Sequence, residues 1–203
     1  MKKQQLSPVY PHASIRTVEQ LAVVLDANPR HLRSVAQRAE SLYRRVSVPR
    51  QDGSDRICFD AKGPIKDIHE NIKLKLLDQV AYPRYLQCGI RDLESPRDFV
   101  RSASAHLRAS LIYSTDIANF FPSVSKQQIY AVWHDFFHFS DEVAGLLTML
   151  TSYRNDLPQG SKASQQIANL IFFRSEPSLV QRLNSLGLTY VRYADDIAIS
   201  GDR

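Results

Sequence analysis

Leu188-Thr-Tyr-Val-Arg-Tyr-Ala-Asp-Asp-Ile-Ala-Ile-Ser200 sets two adjacent aspartates, Asp195 and Asp196, between two apolar runs rich in β-branched and aromatic residues. Such runs read as strands, so the stretch predicts a β-hairpin with a carboxylate pair at its connection. Like charges side by side repel, and aspartate disfavours strands, so the pair calls for compensation. Divalent cations supply it, because Mg²⁺ takes one or two carboxylates together with waters and substrate phosphates. For an Asp-Asp pair standing alone, a solvated turn would be the better account.

A second strand changes that balance. Ser110-Leu-Ile-Tyr-Ser-Thr-Asp116 is short, β-branched and aromatic, which predicts a buried strand ending on a third carboxylate. A turn at Phe121-Pro122 would leave Asp116 at the sheet edge. Two such strands side by side converge Asp116, Asp195 and Asp196. Three carboxylates suit phosphoryl transfer, which asks for positioning and charge neutralisation rather than a covalent nucleophile.

Around these strands the pattern is mixed, and the expected class is α+β. Thr17-Val-Glu-Gln20 reads as a capping box, and Asn28-Pro29 as an N-cap with proline at the first helical position, so two helices open the chain. In the second, Leu32, Val35, Ala39, Leu42 and Tyr43 recur at helical spacing and leave the arginines on the other side. Tyr43-Arg-Arg-Val-Ser-Val-Pro49, the Asp52-Gly53 turn and Arg56-Ile-Cys-Phe59 read as a second hairpin. Ile65, Ile68, Ile72, Leu76 and Val80 mark an amphipathic helix, and Pro83, Gly89 and Pro96 punctuate an irregular stretch. Further helices are expected over Phe99 to Leu107, from Ser125 with its partner Gln128, and from Gly160 to Phe173, with Pro177 interrupting or ending the last. There is no internal repeat.

A chain of 203 residues with 43% hydrophobic content can bury a real core. Lysine and arginine outnumber aspartate and glutamate by 26 to 21, and the pI is about 9.3. Arg30, Arg33, Arg38, Arg44, Arg45 and Arg50 concentrate the excess, as a nucleic-acid-binding face would or as an ordinary solvated helix face would. Cys58 and Cys88 lack metal-ligand spacing, which favours reduced thiols. No apolar run follows the N-terminal lysines, and none reaches the roughly 18 residues of a membrane span. A soluble, cytoplasmic protein with no membrane partner is expected.

The motifs together resemble the reverse transcriptases. Tyr193-Ala-Asp-Asp196 resembles their YxDD signature, Ser114-Thr-Asp-Ile-Ala-Asn-Phe-Phe-Pro-Ser-Val124 their first palm motif, and Leu157-Pro-Gln-Gly160 the loop under the templating base and incoming nucleotide. All three occur in the family's order. The resemblance implies right-hand polymerase architecture: a helical region over 1–45, fingers over 46–108, palm over 109–125, fingers and palm helices over 126–158, and palm again over 159–203. It implies an RNA-directed DNA polymerase using two Mg²⁺ ions, or Mn²⁺, with Asp116, Ile117, Asp195 and Asp196 at the metal positions. Arg50 and Arg56 align with triphosphate-binding basic residues, for which an arginine fork is chemically suited. Phe121 stands where an aromatic ring blocks a ribose 2′ hydroxyl. Gln159 stands where a glutamine contacts the incoming nucleotide, and Gly160 permits close backbone approach. Lys162-Ala-Ser-Gln165 departs from the family's Pro-Thr-Ser-Pro.

Ser102-Ala-Ser-Ala-His106 resembles the NAxxH motif of retron enzymes, with serine for asparagine. The implied partners are an RNA template, a DNA or RNA primer, deoxynucleotides and a cognate non-coding RNA. The alternative is a non-catalytic fragment of a group II intron-like or defence-associated reverse transcriptase that binds nucleic acid or a protein partner. The sequence ends seven residues after Asp196, so the family's thumb is expected to be absent. His134-Asp-Phe-Phe-His138 superficially resembles the HExxH zinc helix. Its aspartate is shorter than the glutamate base and no third ligand is evident, so Trp133, Phe136, Phe137 and Phe139 read more simply as a core or template-facing aromatic cluster, with core packing the better account.

Overall fold

The computed structural model describes residues 5–50, 53 and 55–202, so Asp52 of the expected Asp52-Gly53 turn lies outside the described residues. Helix α1 (Val18–Val24) starts where Thr17 Oγ1 accepts from the Gln20 N–H, and α2 (Pro29–Gln37) where Asn28 accepts from Arg30 and His31. These side chains satisfy amides that a helix start leaves unpaired. Helix α2 ends earlier than its periodicity suggests, and a 3₁₀ turn at Ala39–Leu42 leads into strand β1.

Strand β1 (Tyr43–Pro49) pairs antiparallel with β2 (Asp55–Ala61), from Tyr43↔Ala61 to Pro49↔Asp55. Helix α3 (Pro64–Lys75) is shorter than expected. Leu76 and Leu77 are buried beyond its end, and a 3₁₀ turn carries the chain to Val80. The irregular stretch follows, then α4 (Phe99–Ser104).

Strand β3 (Leu111–Asp116) forms as expected, but the expectation that it is buried fails: all six residues are exposed, with Leu111 at 66% and Tyr113 at 62%. It lies at the edge of a sheet ordered β3-β5-β4 and, among the described residues, pairs only with β5 (Asp196–Gly201). Propensity sets extended backbone, whereas burial requires a covering layer, and an edge strand need not have one. Strand β4 (Thr189–Tyr193) on the far side is the buried one, with Tyr190, Val191 and Arg192 enclosed.

After β3, Phe120–Ser123 forms a single helical turn (α5) rather than a plain turn, and Ser125 and Gln128 form the expected capping box on α6 (Lys126–Ala131). A π-helical turn over Val132–Phe136 buries Trp133, and α7 (Asp141–Thr151), which the sequence patterns do not single out, packs against α2 and α6. Trp133, Phe136, Phe137 and Phe139 are core. His134 meets the carboxylates of Asp135 and Asp141 instead of facing His138 across a site.

Helix α8 begins at Ser164, not Gly160, and ends at Leu170. Pro177 sits in the first turn of α9 (Glu176–Ser185), so it opens a helix rather than ending one. The missing N–H explains both tendencies, because the first helical turn needs no such donor. Cys58 and Cys88 are both free thiols. Among the described residues no helix is long and apolar enough to cross a membrane.

Candidate active site

The three aspartates meet because of strand register. In the β3–β5 ladder, Leu111 faces Gly201 at one end and Asp116 faces Asp196 at the other. The β4–β5 hairpin ends on the Tyr193↔Asp196 pair, so Ala194 and Asp195 form its connection. Ala194 carries φ 58°, a left-handed conformation that costs a residue with a Cβ about 1 kcal/mol or more. The Ile117 N–H donates to the Asp195 carbonyl oxygen at 3.0 Å, tying the chain beyond β3 to the hairpin tip.

The electrostatics carry the mark of crowding. Partial burial, then the neighbouring charges of Asp195 and Asp116, raise the Asp196 carboxyl above the usual carboxylate range. Among the described residues, no group of three or more His, Cys, Asp or Glu side chains is arranged to hold a metal ion as it stands. Backbone register brings the aspartates together, while their mutually repelling oxygens do not close into a ligand set. As donors they fit a hard, oxygen-ligated ion such as Mg²⁺, since added positive charge offsets both the burial and the neighbouring charges that raise Asp196. Ile117 lines the same corner.

Two adjoining cavities open onto this corner. The larger, about 590 Å³, is lined by Arg50, Arg56, Asp116, Phe121, Gln159 and Asp195, among others. The smaller, about 480 Å³, has Arg56, Phe121, Gln159, Gly160, Asp195 and Asp196 on its walls. Asp116, Ile117, Asp195, Asp196, Arg50, Arg56, Phe121, Gln159 and Gly160 therefore each line one or both of the two spaces. Phe120 is buried and Phe121 only partly so, which puts the second ring at the cavity wall and the first in the core. Arg50 and Arg56 are exposed and supply positive charge opposite the carboxylates.

The Gln159–Gly160 loop is held by backbone. The Phe59 N–H donates to the Gln159 carbonyl at 2.7 Å, and Gly160 takes φ 107° with the Phe59 carbonyl 3.3 Å from where a Cβ would stand. Behind the loop, buried His69 joins two elements. The Leu150 carbonyl can only accept, so Nε2 donates to it at 2.7 Å and Nδ1 accepts from the Ser161 hydroxyl at 3.0 Å. Burial pushes His69 down to about 4. His106 of the Ser102–His106 motif is buried against β5, with Nδ1 at 2.6 Å from the Ser200 hydroxyl.

The clustered arginines form no uninterrupted basic face. Arg33 is paired with Glu19 and Glu142, and Arg44 with Asp60. Sequence patterns also miss Arg192 and Glu176, a buried ion pair directly behind the hairpin tip. An arginine inside an otherwise apolar strand was the available signal.

Comparison with known proteins shows the family. The model of the family described as reverse transcriptase (RNA-dependent DNA polymerase) matches residues 50–203. The chain is 32% identical to the retron Se72 reverse transcriptase of Salmonella heidelberg, over 97% of this chain and 51% of that protein. It is 27% identical to the retron Ec48 enzyme of Escherichia coli, over 93% of this chain and 48% of the relative. Retron Ec86 reverse transcriptase, also of Escherichia coli, is 27% identical over 83% of the chain and 52% of its own length. The chain thus spans about half the length of these relatives.

Proposed function

This chain belongs to the reverse transcriptase family, with retron enzymes among its relatives, and from that premise we propose that it carries the nucleotidyl-transfer centre of an RNA-directed DNA polymerase. The supporting observation is the Asp116↔Asp196 pair with Asp195 beside it, opening onto a cleft shared with Arg50, Arg56, Phe121 and Gln159. In this reading the molecule is the fingers and palm of a right-hand polymerase. The division is a helical region to residue 45, fingers over 46–108, and palm and supporting helices beyond. Its partners are an RNA template, a primer and deoxynucleoside triphosphates.

Asp116, Asp195 and Asp196, with the Ile117 carbonyl, would hold two Mg²⁺ ions. Bound there, the ions supply Lewis-acid activation of the primer 3′ hydroxyl and charge neutralisation at the leaving pyrophosphate. Arg50 and Arg56 bind the triphosphate and orient it, since guanidinium forks match phosphate oxygens and stay charged. Phe121 presents its ring to the sugar and leaves no room for a 2′ hydroxyl. Gln159 contacts the incoming nucleotide from the loop that Phe59 anchors, and Gly160 lets backbone approach closely. The protein's contribution is alignment, to which the rate of such a transfer is steeply sensitive.

Primer extension on an RNA template with Mg²⁺ tests the reading. Extension lost on replacing Asp195 and Asp196 with asparagine supports it, and extension surviving that change refutes the metal assignment. Salt-sensitive RNA binding without any extension by the unaltered chain would favour the second reading, a non-catalytic nucleic-acid-binding or partner-binding fragment.

A further inference from the structure

Behind the carboxylate hairpin lies a charged group with no access to solvent and no part in the chemistry above. The Arg192 side chain is fully buried, one residue before the end of β4. Its Nε donates to Glu176 Oε1 at 2.6 Å and one terminal nitrogen to Glu176 Oε2 at 2.8 Å. That same nitrogen donates to the Asn169 carbonyl at 3.0 Å, and the other to the Ala194 carbonyl at 3.2 Å. The guanidinium sits 5.4 Å from the centre of the Phe172 ring, and Tyr190 donates its hydroxyl to Glu176 at 2.8 Å.

Taking two charges out of water is costly, and apolar side chains of similar volume fill such a space at least as well. The arrangement therefore calls for a purpose other than packing. What it achieves is local: Ala194 is the residue at φ 58° that connects Tyr193 to Asp195, and its carbonyl is aimed by Arg192. Asn169 belongs to the last turn of α8, and Glu176 to the first turn of α9, so the guanidinium references the hairpin tip to two helices at once. The Arg192 backbone is fixed as well, its N–H donating to the Tyr85 carbonyl at 2.8 Å and its carbonyl accepting from Gln87 at 3.0 Å. Only a planar fork with five donors serves Glu176, Asn169 and Ala194 together; a lysine ammonium cannot.

We propose that Arg192, braced by Glu176, is a positioning residue that holds the Ala194 peptide in its strained conformation and so sets where Asp195 and Asp196 present their oxygens. This rests on the reading of those aspartates as metal ligands. Groups that orient ligands from behind change metal affinity by about 10- to 100-fold when removed, and an effect of that size is expected here.

The test measures Mn²⁺ binding to the 203-residue chain from the electron paramagnetic resonance signal of the free ion, beside the thermal midpoint. Replacing Arg192 and Glu176 together with methionine removes both buried charges and keeps the volume, so the midpoint should stay near that of the unaltered chain. Mn²⁺ affinity should nevertheless fall by about tenfold or more. Unchanged affinity in that folded variant overturns the proposal. Should the double variant not fold, Arg192→Lys decides, because it keeps a charge opposite Glu176 but loses the tether to Ala194: weaker binding supports the proposal and wild-type binding overturns it. Absence of Mn²⁺ binding by the unaltered chain would instead sink the metal-site reading, and this inference with it.

Discussion

The Phe59 N–H donates to the Gln159 carbonyl at 2.7 Å, which fastens strand β2 to the loop that precedes α8. The β1–β2 hairpin, with Arg50 and Arg56, and the Gln159–Gly160 loop are thus one mechanical unit across about a hundred residues of sequence. The two sides of the cleft share a backbone bond rather than only a boundary.

Gly160→Ala strikes that unit. Its φ of 107° suits glycine alone, and a Cβ would stand 3.3 Å from the Phe59 carbonyl, which belongs to a paired strand and cannot easily retreat. The cost should be about 1–3 kcal/mol, from backbone strain of this kind. Thermal melting should register the loss, and primer extension should show a raised KM for deoxynucleotide.

Asp195→Asn with Asp196→Asn should reduce primer extension by about 10²-fold or more, the scale on which loss of a preorganised charge-stabilising group acts. RNA affinity and its salt dependence should stay close to those of the unaltered chain, because phosphate contacts by basic residues carry them. Parallel extension and filter-binding titrations check both statements.

Phe121→Val should open the cavity wall at the sugar. Discrimination between deoxy- and ribonucleotide should fall by about tenfold or more, judged from what a few apolar atoms contribute to specificity in a pocket. The ratio of kcat/KM for the two substrates is the measurement. An unchanged ratio would remove Phe121 from the sugar site.

His69 should contribute a pH-dependent share of stability. Burial depresses it from 6.5 to about 4 in the folded chain, so between those values the unfolded chain binds the proton and the folded chain does not. Stability is therefore complete above about pH 6.5 and declines as pH falls toward 4, by at most about 3 kcal/mol. Denaturant titrations across this range should show the slope, and His69→Gln should flatten it.

Much of the site was legible because its parts are local in sequence. Asp116 and Asp196 mark strand ends with Asp195 in the connection beside them, Phe121 follows Asp116 by five residues, and Gln159-Gly160 is a short motif in itself. The fold was legible where caps and periodicity act over a few residues, as at Thr17, Asn28 and Ser125. Reading failed where distant chain decides. Nothing local distinguishes Leu111–Asp116 from a buried strand, since its exposure follows from its place at the sheet edge. Pro177 could equally end one helix or start another, and its position at the head of α9 settled which.

The sequence by itself determined the chemical parts: three carboxylates at or beside strand ends, two arginines on a hairpin, an aromatic ring and a glutamine–glycine loop, each set by residue type and near-neighbour spacing. Only the tertiary structure decided their company. Register places Asp116 opposite Asp196, the Phe59–Gln159 bond joins the cleft's two sides, and Arg192 is buried behind the aspartates with Glu176. Ladder pairing, shared backbone bonds and the exclusion of water are relations between segments far apart in the chain, and no local pattern carries them.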